Sequence, residues 1–238
     1  MIPQEGGKEV DTDEKKHLIA HLSGFLTEAR YEKMRSVLEN RTRYLTVVLE
    51  DIYQPHNASA VLRSCDGFGI QDVHIIENRN SYKVNPGVEL GTSRWLSLTK
   101  YNRKGYNSSE AIETLRRRGY RIVATSPHAN DTPLEDFDLQ RGKTALFFGN
   151  ELDGLTGKVI AEADEYLRIP MYGFVESFNI SVSCAITLQH LIYRLRGMPF
   201  EWKLTEEERD ELLLAWIRRS VKRWKTIEEE WRKNQHEG

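Results

Sequence analysis

Across residues 17–38 apolar side chains return at three- and four-residue intervals, at Leu18, Leu22, Phe25, Leu26, Ala29, Met34 and Leu38, which predicts helices ahead of the main domain. Residues 44–52 change period. Their β-branched run predicts a buried strand, Gln54-Pro55-His56-Asn57 punctuates it, and residues 58–68 read as a helix. The alternation then repeats: strands are predicted at 73–76, 120–125, 143–148 and 166–169, and helices at 109–118 (ended by Gly119), 156–163 and 180–195. Strands alternating with helices give an α/β fold, a mostly parallel sheet with helices on both faces.

Beyond Gly197-Met198-Pro199 the pattern becomes a highly charged helix. Thr205 is placed to cap it, Glu208 completes a capping box, and the acidic first turn suits the helix dipole. Leu213, Ile217, Val221, Trp224, Ile227 and Trp231 form one apolar stripe, and Arg218, Arg219, Lys222, Arg223 and Lys225 occupy the remainder. The basic face has two readings: it flanks a stripe packed on the domain or on a partner subunit, or it touches RNA phosphate. The chain thus divides into an N-terminal helical extension (1–42), an α/β domain (43–197) and a C-terminal helical extension (198–238).

Of 238 residues 39% are hydrophobic and 29% charged, a mixture that supplies one main core and excludes collagen, a long coiled coil and wholesale disorder. No run approaches the roughly 18 apolar residues of a membrane span. Residues 1–15 are polar where a secretory signal needs an apolar stretch, so a cytoplasmic protein is expected. Cys65 and Cys184 stand far apart, without a Cys-x-x-Cys or a Cys/His cluster; both are expected as small buried side chains, with neither a disulfide framework nor a metal site. The 34 basic and 36 acidic residues leave a net charge of −2, so nothing global marks a nucleic-acid binder. Basic residues nevertheless cluster at Arg116-Arg117-Arg118, at Arg194 and Arg196, and along 218–225, and a polyanion responds to such local patches.

Several familiar chemistries are absent. Gly149 and Gly154 have phosphate-loop spacing, but Leu155-Thr156 stands where Lys-Ser/Thr must reach the phosphates. Gly67 and Gly69 lack the third glycine of a dinucleotide fingerprint, and neither a Gly-x-Ser-x-Gly elbow nor a His-Glu-x-x-His pair is present. Three polar islands remain, each directly after a predicted strand, where open α/β sheets bind ligands. In the first, Asn57 opens a helix and Arg63 lies six residues on in an apolar face; its fixed fork suits a phosphate or carboxylate, with an ion pair to Asp66 as the structural alternative. The second is Gly149-Asn150-Glu151, where the glycine either lets a ligand approach the backbone or simply turns the chain before a capping acid. The third runs from Ile169-Pro170-Met171 through Gly173 to Ser177, Asn179, Ser181 and Ser183; capping needs only one of these polar groups, so their density suggests a pocket.

In this order and spacing the islands resemble the SpoU (TrmH) family of RNA 2′-O-methyltransferases, within the SPOUT superfamily. The matching positions are Asn57 with Arg63; Phe147-Phe148-Gly149-Asn150-Glu151 with Gly154-Leu155; and Ile169-Pro170-Met171 and Gly173 followed by Ser177, Asn179 and Ser181. The likeness spans about residues 30–196. It implies a SPOUT-type fold with a C-terminal trefoil knot, a rare exception to the rule against knots, working as a homodimer. It also implies S-adenosyl-L-methionine as cofactor, without a metal, its adenine in an apolar slot lined by Thr125, Gly149, Ile169, Met171 and Phe178, the last replacing a leucine usual in near relatives. The implied reaction is methyl transfer to a ribose 2′-hydroxyl of tRNA, that of guanosine 18 in the D-loop. Arg63, Asn57, Glu151, Ser177 and Asn179 are the implied catalytic residues, and His56, Arg30, Arg35, Arg194 and Arg196 the implied contacts to RNA. Two roles stay open for Arg63: a base for the hydroxyl, or a clamp on substrate phosphate, which better suits a group as reluctant to lose its proton as a guanidinium. A ribosomal RNA substrate, a non-catalytic RNA-binding protein of this fold and a small-molecule methyltransferase are the alternatives, and no membrane or DNA partner is expected.

Overall fold

The computed structural model describes residues 12–103, 105, 107–126 and 131–236. Helices α1 (Thr12–Ser23) and α2 (Glu28–Leu38) come first, with Leu18, Ile19, Leu22, Met34 and Leu38 buried. Phe25 does not share that face, because α1 ends before it and leaves it exposed in the turn; Ala29 is exposed on α2.

Next come β1 (Leu45–Glu50), α3 (Pro55–Phe68), β2 (Asp72–Ile76), the single turn α4 (Pro86–Glu89), β3 (Ser97–Tyr101), α5 (Asn107–Arg117), β4 (Arg121–Thr125), β5 (Thr132–Pro133), β6 (Thr144–Phe148), α6 (Gly157–Glu162), β7 (Glu165–Arg168) and α7 (Ile180–Leu195). The strands form one sheet in the order β3-β2-β1-β6-β4-β7-β5, and every neighbouring pair is parallel. The sheet is therefore wholly rather than mostly parallel. Its two outermost strands are the ones the hydrophobic pattern does not predict. β3 buries only Tyr101, and β5 is two residues long with a proline, which an edge strand tolerates because it need not donate on both sides.

Thr42–Trp202 makes one unit with a core on each face of this sheet. Helices α3 and α7 cover one face, setting Val61, Leu62, Cys184 and Leu188 against Val47, Leu49, Val123 and Leu146. Helices α5 and α6 cover the other, setting Ile112, Leu115 and Val159 against Val48, Ile122 and Phe147. Double coverage explains why β1 is buried along its whole length. Cys65 and Cys184, distant in sequence, are free and buried; the hydrogen bond between them and desolvation together push the Cys184 thiol up.

Helix α3 starts three residues earlier than its apolar spacing predicts. Pro55 takes the first helical position, where it has no N–H to lose and its fixed φ already fits, so His56 and Asn57 belong to the first turn instead of the loop.

The second unit comprises the segments flanking the first, Pro3–Arg41 and Lys203–Gly238; residues 1–11 of the N-terminal extension lie outside the described residues. It contains α1, α2, α8 (Glu206–Ser220) and α9 (Trp224–His236), and the Thr205–Glu208 capping box is formed. The single C-terminal helix expected from the continuous stripe is not. The chain leaves the helix at Val221, Arg223 takes a left-handed conformation with φ 58°, and α9 begins anew. The two helices are then tied by Arg218, whose Nε and Nη2 donate to the buried Glu228 carboxylate at 2.9 and 2.7 Å. Leu213, Ile217 and Val221 are buried, while Trp224, Ile227 and Trp231 are half-buried on the second helix. Among the described residues no helix is long and apolar enough to cross a membrane.

Candidate active site

From β1 the chain moves outward to β2 and β3, whereas β6, the other neighbour of β1, adjoins β4 on its far side. Helix α3, which follows β1, lies on one face, and α6, which follows β6, on the other. Connections that diverge in this way leave a crevice beyond the carboxyl ends of the two strands. Asn57 follows β1, and Glu151 follows β6.

The two side chains meet. Asn57 is 3% exposed, and its Nδ2 donates to Glu151 Oε1 at 2.5 Å and to Gln54 Oε1 at 3.4 Å. Its Oδ1 accepts from Asn179 Nδ2 at 3.2 Å. Asn179 Oδ1 in turn accepts from the Ser181 N–H at 2.9 Å and the Ser181 hydroxyl at 2.7 Å, which caps α7. All three polar islands are thus joined through hydrogen-bonded amides and one carboxylate. The second carboxylate oxygen, Glu151 Oε2, is buried and has no partner among the described residues. Leaving such an acceptor unpaired is costly, so the site favours a ligand that brings a donor.

The loop carrying Glu151 owes its shape to two glycines. Asn150 and Gly154 exchange backbone hydrogen bonds of 3.1 and 3.2 Å, and Asn150 Oδ1 accepts from the N–H groups of Leu152 and Asp153. A Cβ on Gly149 would stand 2.1 Å from the Gly154 carbonyl carbon, and Gly154 itself has φ 71°. Gly149 therefore makes room for the backbone of its own loop, a constraint distinct from approach by a ligand.

Arg63 is exposed on α3, and its Nη1 donates to the Val88 carbonyl at 3.4 Å. Among the described residues it has no carboxylate partner, so the alternative ion pair with Asp66 is not formed. His56, Ser177 and Phe178 are exposed. Thr125, Gly149 and Ile169 end or directly follow β4, β6 and β7, which are adjacent, so the three lie along one edge. The Thr125 hydroxyl is engaged on the Phe147 carbonyl at 2.8 Å. Beyond the half-buried Met171, the loop leaves Tyr172, Phe174 and Val175 open to solvent, a large apolar exposure for one short segment.

Arg194 is occupied within the fold. Its guanidinium donates to the Leu134, Glu135 and Phe137 carbonyls at 3.2, 3.1 and 2.7 Å, while Arg196 is exposed. In the other unit, Arg30 and Arg35 are both exposed on α2, and Arg35 is 3.5 Å from Glu32.

Sequence reasoning misses Asp51 and the run Glu77-Asn78-Arg79-Asn80. Asp51 is 2% exposed with φ 53°, and its Oδ1 accepts from the N–H groups of Asn78, Arg79 and Asn80 at 2.7, 2.8 and 3.3 Å. The run does carry a usable signal, since it too is a polar island directly after a strand.

The SpoU rRNA Methylase family model matches residues 44–189. A tRNA (guanosine(18)-2′-O)-methyltransferase from Borreliella burgdorferi is 44% identical over 210 residues, 88% of this chain and 94% of its own. The crystal structure of the A. aeolicus TrmH/SpoU tRNA modifying enzyme aligns with a TM-score of 0.71 at 30% identity, covering 82% of this chain and 98% of that one. The SpoU methyltransferase AviRb from Streptomyces viridochromogenes, solved in complex with AdoMet, aligns with a TM-score of 0.57 at 21% identity over 68% of this chain and 65% of its own.

Proposed function

The chain belongs to the SpoU rRNA Methylase family, and on that premise we infer that it is an S-adenosyl-L-methionine-dependent tRNA methyltransferase acting on the ribose 2′-hydroxyl of guanosine 18. The observation that carries the reading is the union of Asn57, Glu151 and Asn179 at the crevice between β1 and β6. The substrate follows the relative that shares 44% identity over 88% of the chain.

The residues present fit the cofactor. Its ammonium and ribose hydroxyls are donors of the kind Glu151 Oε2 lacks; Thr125, Gly149 and Ile169 share one edge of the sheet, and Met171 and Phe178 in the loop that follows complete the apolar slot of this reading. When bound, S-adenosyl-L-methionine supplies a methyl group activated on a sulfonium. The protein's part is to hold the ribose in line with that methyl and keep it there, which is where much of the acceleration of a displacement arises. Arg63, with most of its fork uncommitted, clamps the substrate phosphate and steadies the charge that develops on the attacking oxygen. Asn57, Glu151 and Asn179 fix the walls of the crevice, with Ser177 and His56 at its rim. Arg30, Arg35 and Arg196 are the phosphate contacts of this reading, whereas Arg194 braces the 134–137 turn. The reading extends to a trefoil knot in the segment after β7, to a homodimer, to 1–42 and 198–238 as extensions of a 43–197 catalytic domain, and to work in the cytoplasm.

The test is methyl transfer from labelled S-adenosyl-L-methionine to unmodified tRNA transcripts, with ribosomal RNA fragments alongside and nucleoside mapping of the product. The expected product is 2′-O-methylguanosine at the position named for the relatives. Arg63→Ala is expected to lower kcat by about a hundredfold or more, the scale seen when one preorganised donor is removed. Arg63→Lys, a point charge without the fork, should fall in between. Transfer to ribosomal RNA alone overturns the substrate, and cofactor binding without transfer to any RNA overturns the enzyme reading in favour of a non-catalytic RNA-binding protein.

A further inference from the structure

We propose that Arg79 is a substrate-positioning residue that contacts a tRNA phosphate, presented at the crevice by a loop that the buried Asp51 carboxylate holds. The proposal rests on the tRNA reading above.

The loop after β2 is pinned from below. Asp51, just past the end of β1, gives one carboxylate oxygen to three successive backbone N–H groups, and its carbonyl accepts from Asn80 Nδ2 at 2.9 Å. Asn78 is fixed on both sides: its Nδ2 donates to the Ser108 hydroxyl at 2.8 Å, and its Oδ1 accepts from the Asn107 N–H at 2.7 Å. The side chains on either side of Arg79 are thus turned inward and bonded. Arg79 projects outward, its side chain 72% exposed.

Where it projects follows from the strand order. Arg79 Nη1 lies 3.4 Å from Asp153 Oδ2, in the Glu151 loop after β6, although Arg79 itself follows β2. Because β1 lies between β2 and β6, the guanidinium reaches across the carboxyl end of β1 to the loop that carries Glu151. A pair this exposed, at 72% and 68%, adds little to stability, so it does not account for so closely held a loop. A left-handed aspartate spending its carboxylate on one loop is the kind of backbone strain that accompanies a functional constraint. A backbone phosphate offers Arg79 a bidentate partner with the same unit charge as the Asp153 carboxylate, set among neighbouring phosphates that add to the attraction. Asp153 is then a counterion that the nucleic acid displaces.

Filter binding of tRNA at a series of salt concentrations tests this on wild type, Arg79→Gln and Asp153→Asn, with cofactor affinity measured by calorimetry and turnover on the same preparations. Loss of one phosphate contact reduces the slope of log affinity against log salt by about 0.9. For Arg79→Gln that change is expected, with tRNA affinity several-fold weaker at low salt, KM for tRNA raised more than kcat is lowered, and cofactor affinity as in wild type. Asp153→Asn, which removes the competing carboxylate, should bind tRNA more tightly. An unchanged slope in Arg79→Gln overturns the proposal, as does an equal loss of cofactor affinity, which would mean the pair merely supports the Glu151 loop. Failure of the broader reading looks different: wild type that binds tRNA with an Arg79-dependent slope yet transfers no methyl overturns the enzyme assignment and keeps the contact.

Discussion

Burial, reinforced by the positive charge of Arg118, pushes the His74 imidazole down to about 3, and its Nδ1 lies 2.9 Å from the Tyr101 hydroxyl. In the unfolded chain the same group titrates near ~6.5, so between these values the unfolded state binds a proton that the native state refuses. Its stabilising effect is complete above the unfolded value and is lost as pH falls through that window. Urea titrations at pH 7 and pH 5 should show wild type losing about 2 kcal/mol more than His74→Phe between the two, and equal losses would contradict it. The same scale explains what reading residues alone can reach. Asn57, Glu151 and Asn179 stand out because amides and a carboxylate next to apolar strands have little other reason to be there. Asp51 does not, because its significance lies in a positive φ and in N–H groups some 27 residues away, neither of which its identity announces. Arg194 reads as a surface cation in sequence, yet three carbonyls of a distant turn engage it.

Among the elements, α7 begins and ends where its apolar spacing and the Asn179 cap say it should. The C-terminal helix pair is the contrast. Three-residue steps from Val221 to Trp224 and Ile227 keep the stripe in phase, and an arginine gives no sign that it will adopt a left-handed conformation, so the break is invisible until Glu228 is seen to meet Arg218. Strands β3 and β5 escape notice because an edge asks for few apolar residues. Where the local signal is complete its worth can be measured. Thr205→Ala removes one half of the α8 capping box and should cost about 1 kcal/mol in a urea titration, with Thr205→Ser recovering most of it. A loss indistinguishable from zero would show that the α8 terminus frays without consequence.

At the scale of the whole molecule, a net charge of −2 means that attraction to a polyanion must come from local cations, not from the sum. A parallel α/β sheet was readable from the alternation of periods, but strand order was not, since periodicity says which residues are buried and not beside which neighbour. The exposed Val182 and Tyr193 on α7, together with the open apolar loop before it, support the proposed homodimer. Sedimentation equilibrium at micromolar protein should return twice the 27.7 kDa of one chain, and a single-chain mass would remove the dimer from the functional reading.

The place of β6 has a consequence for how the protein comes into being. It is the sixth strand made, yet it fills the gap between the first and the fourth, Ala145 pairing with Thr46 on one side and Ile122 on the other. A chain emerging from the ribosome as far as Gly142 therefore carries two interior strands whose facing edges are bare, a state prone to wrong pairings until residues 144–148 slide home. Glu151 arrives just behind that strand, and Asn179 later still. A chain that stops short of Asn179 therefore has Asn57 and Glu151 without the third side chain that meets them, and the three-way contact is completed only by the last of the core helices to be made.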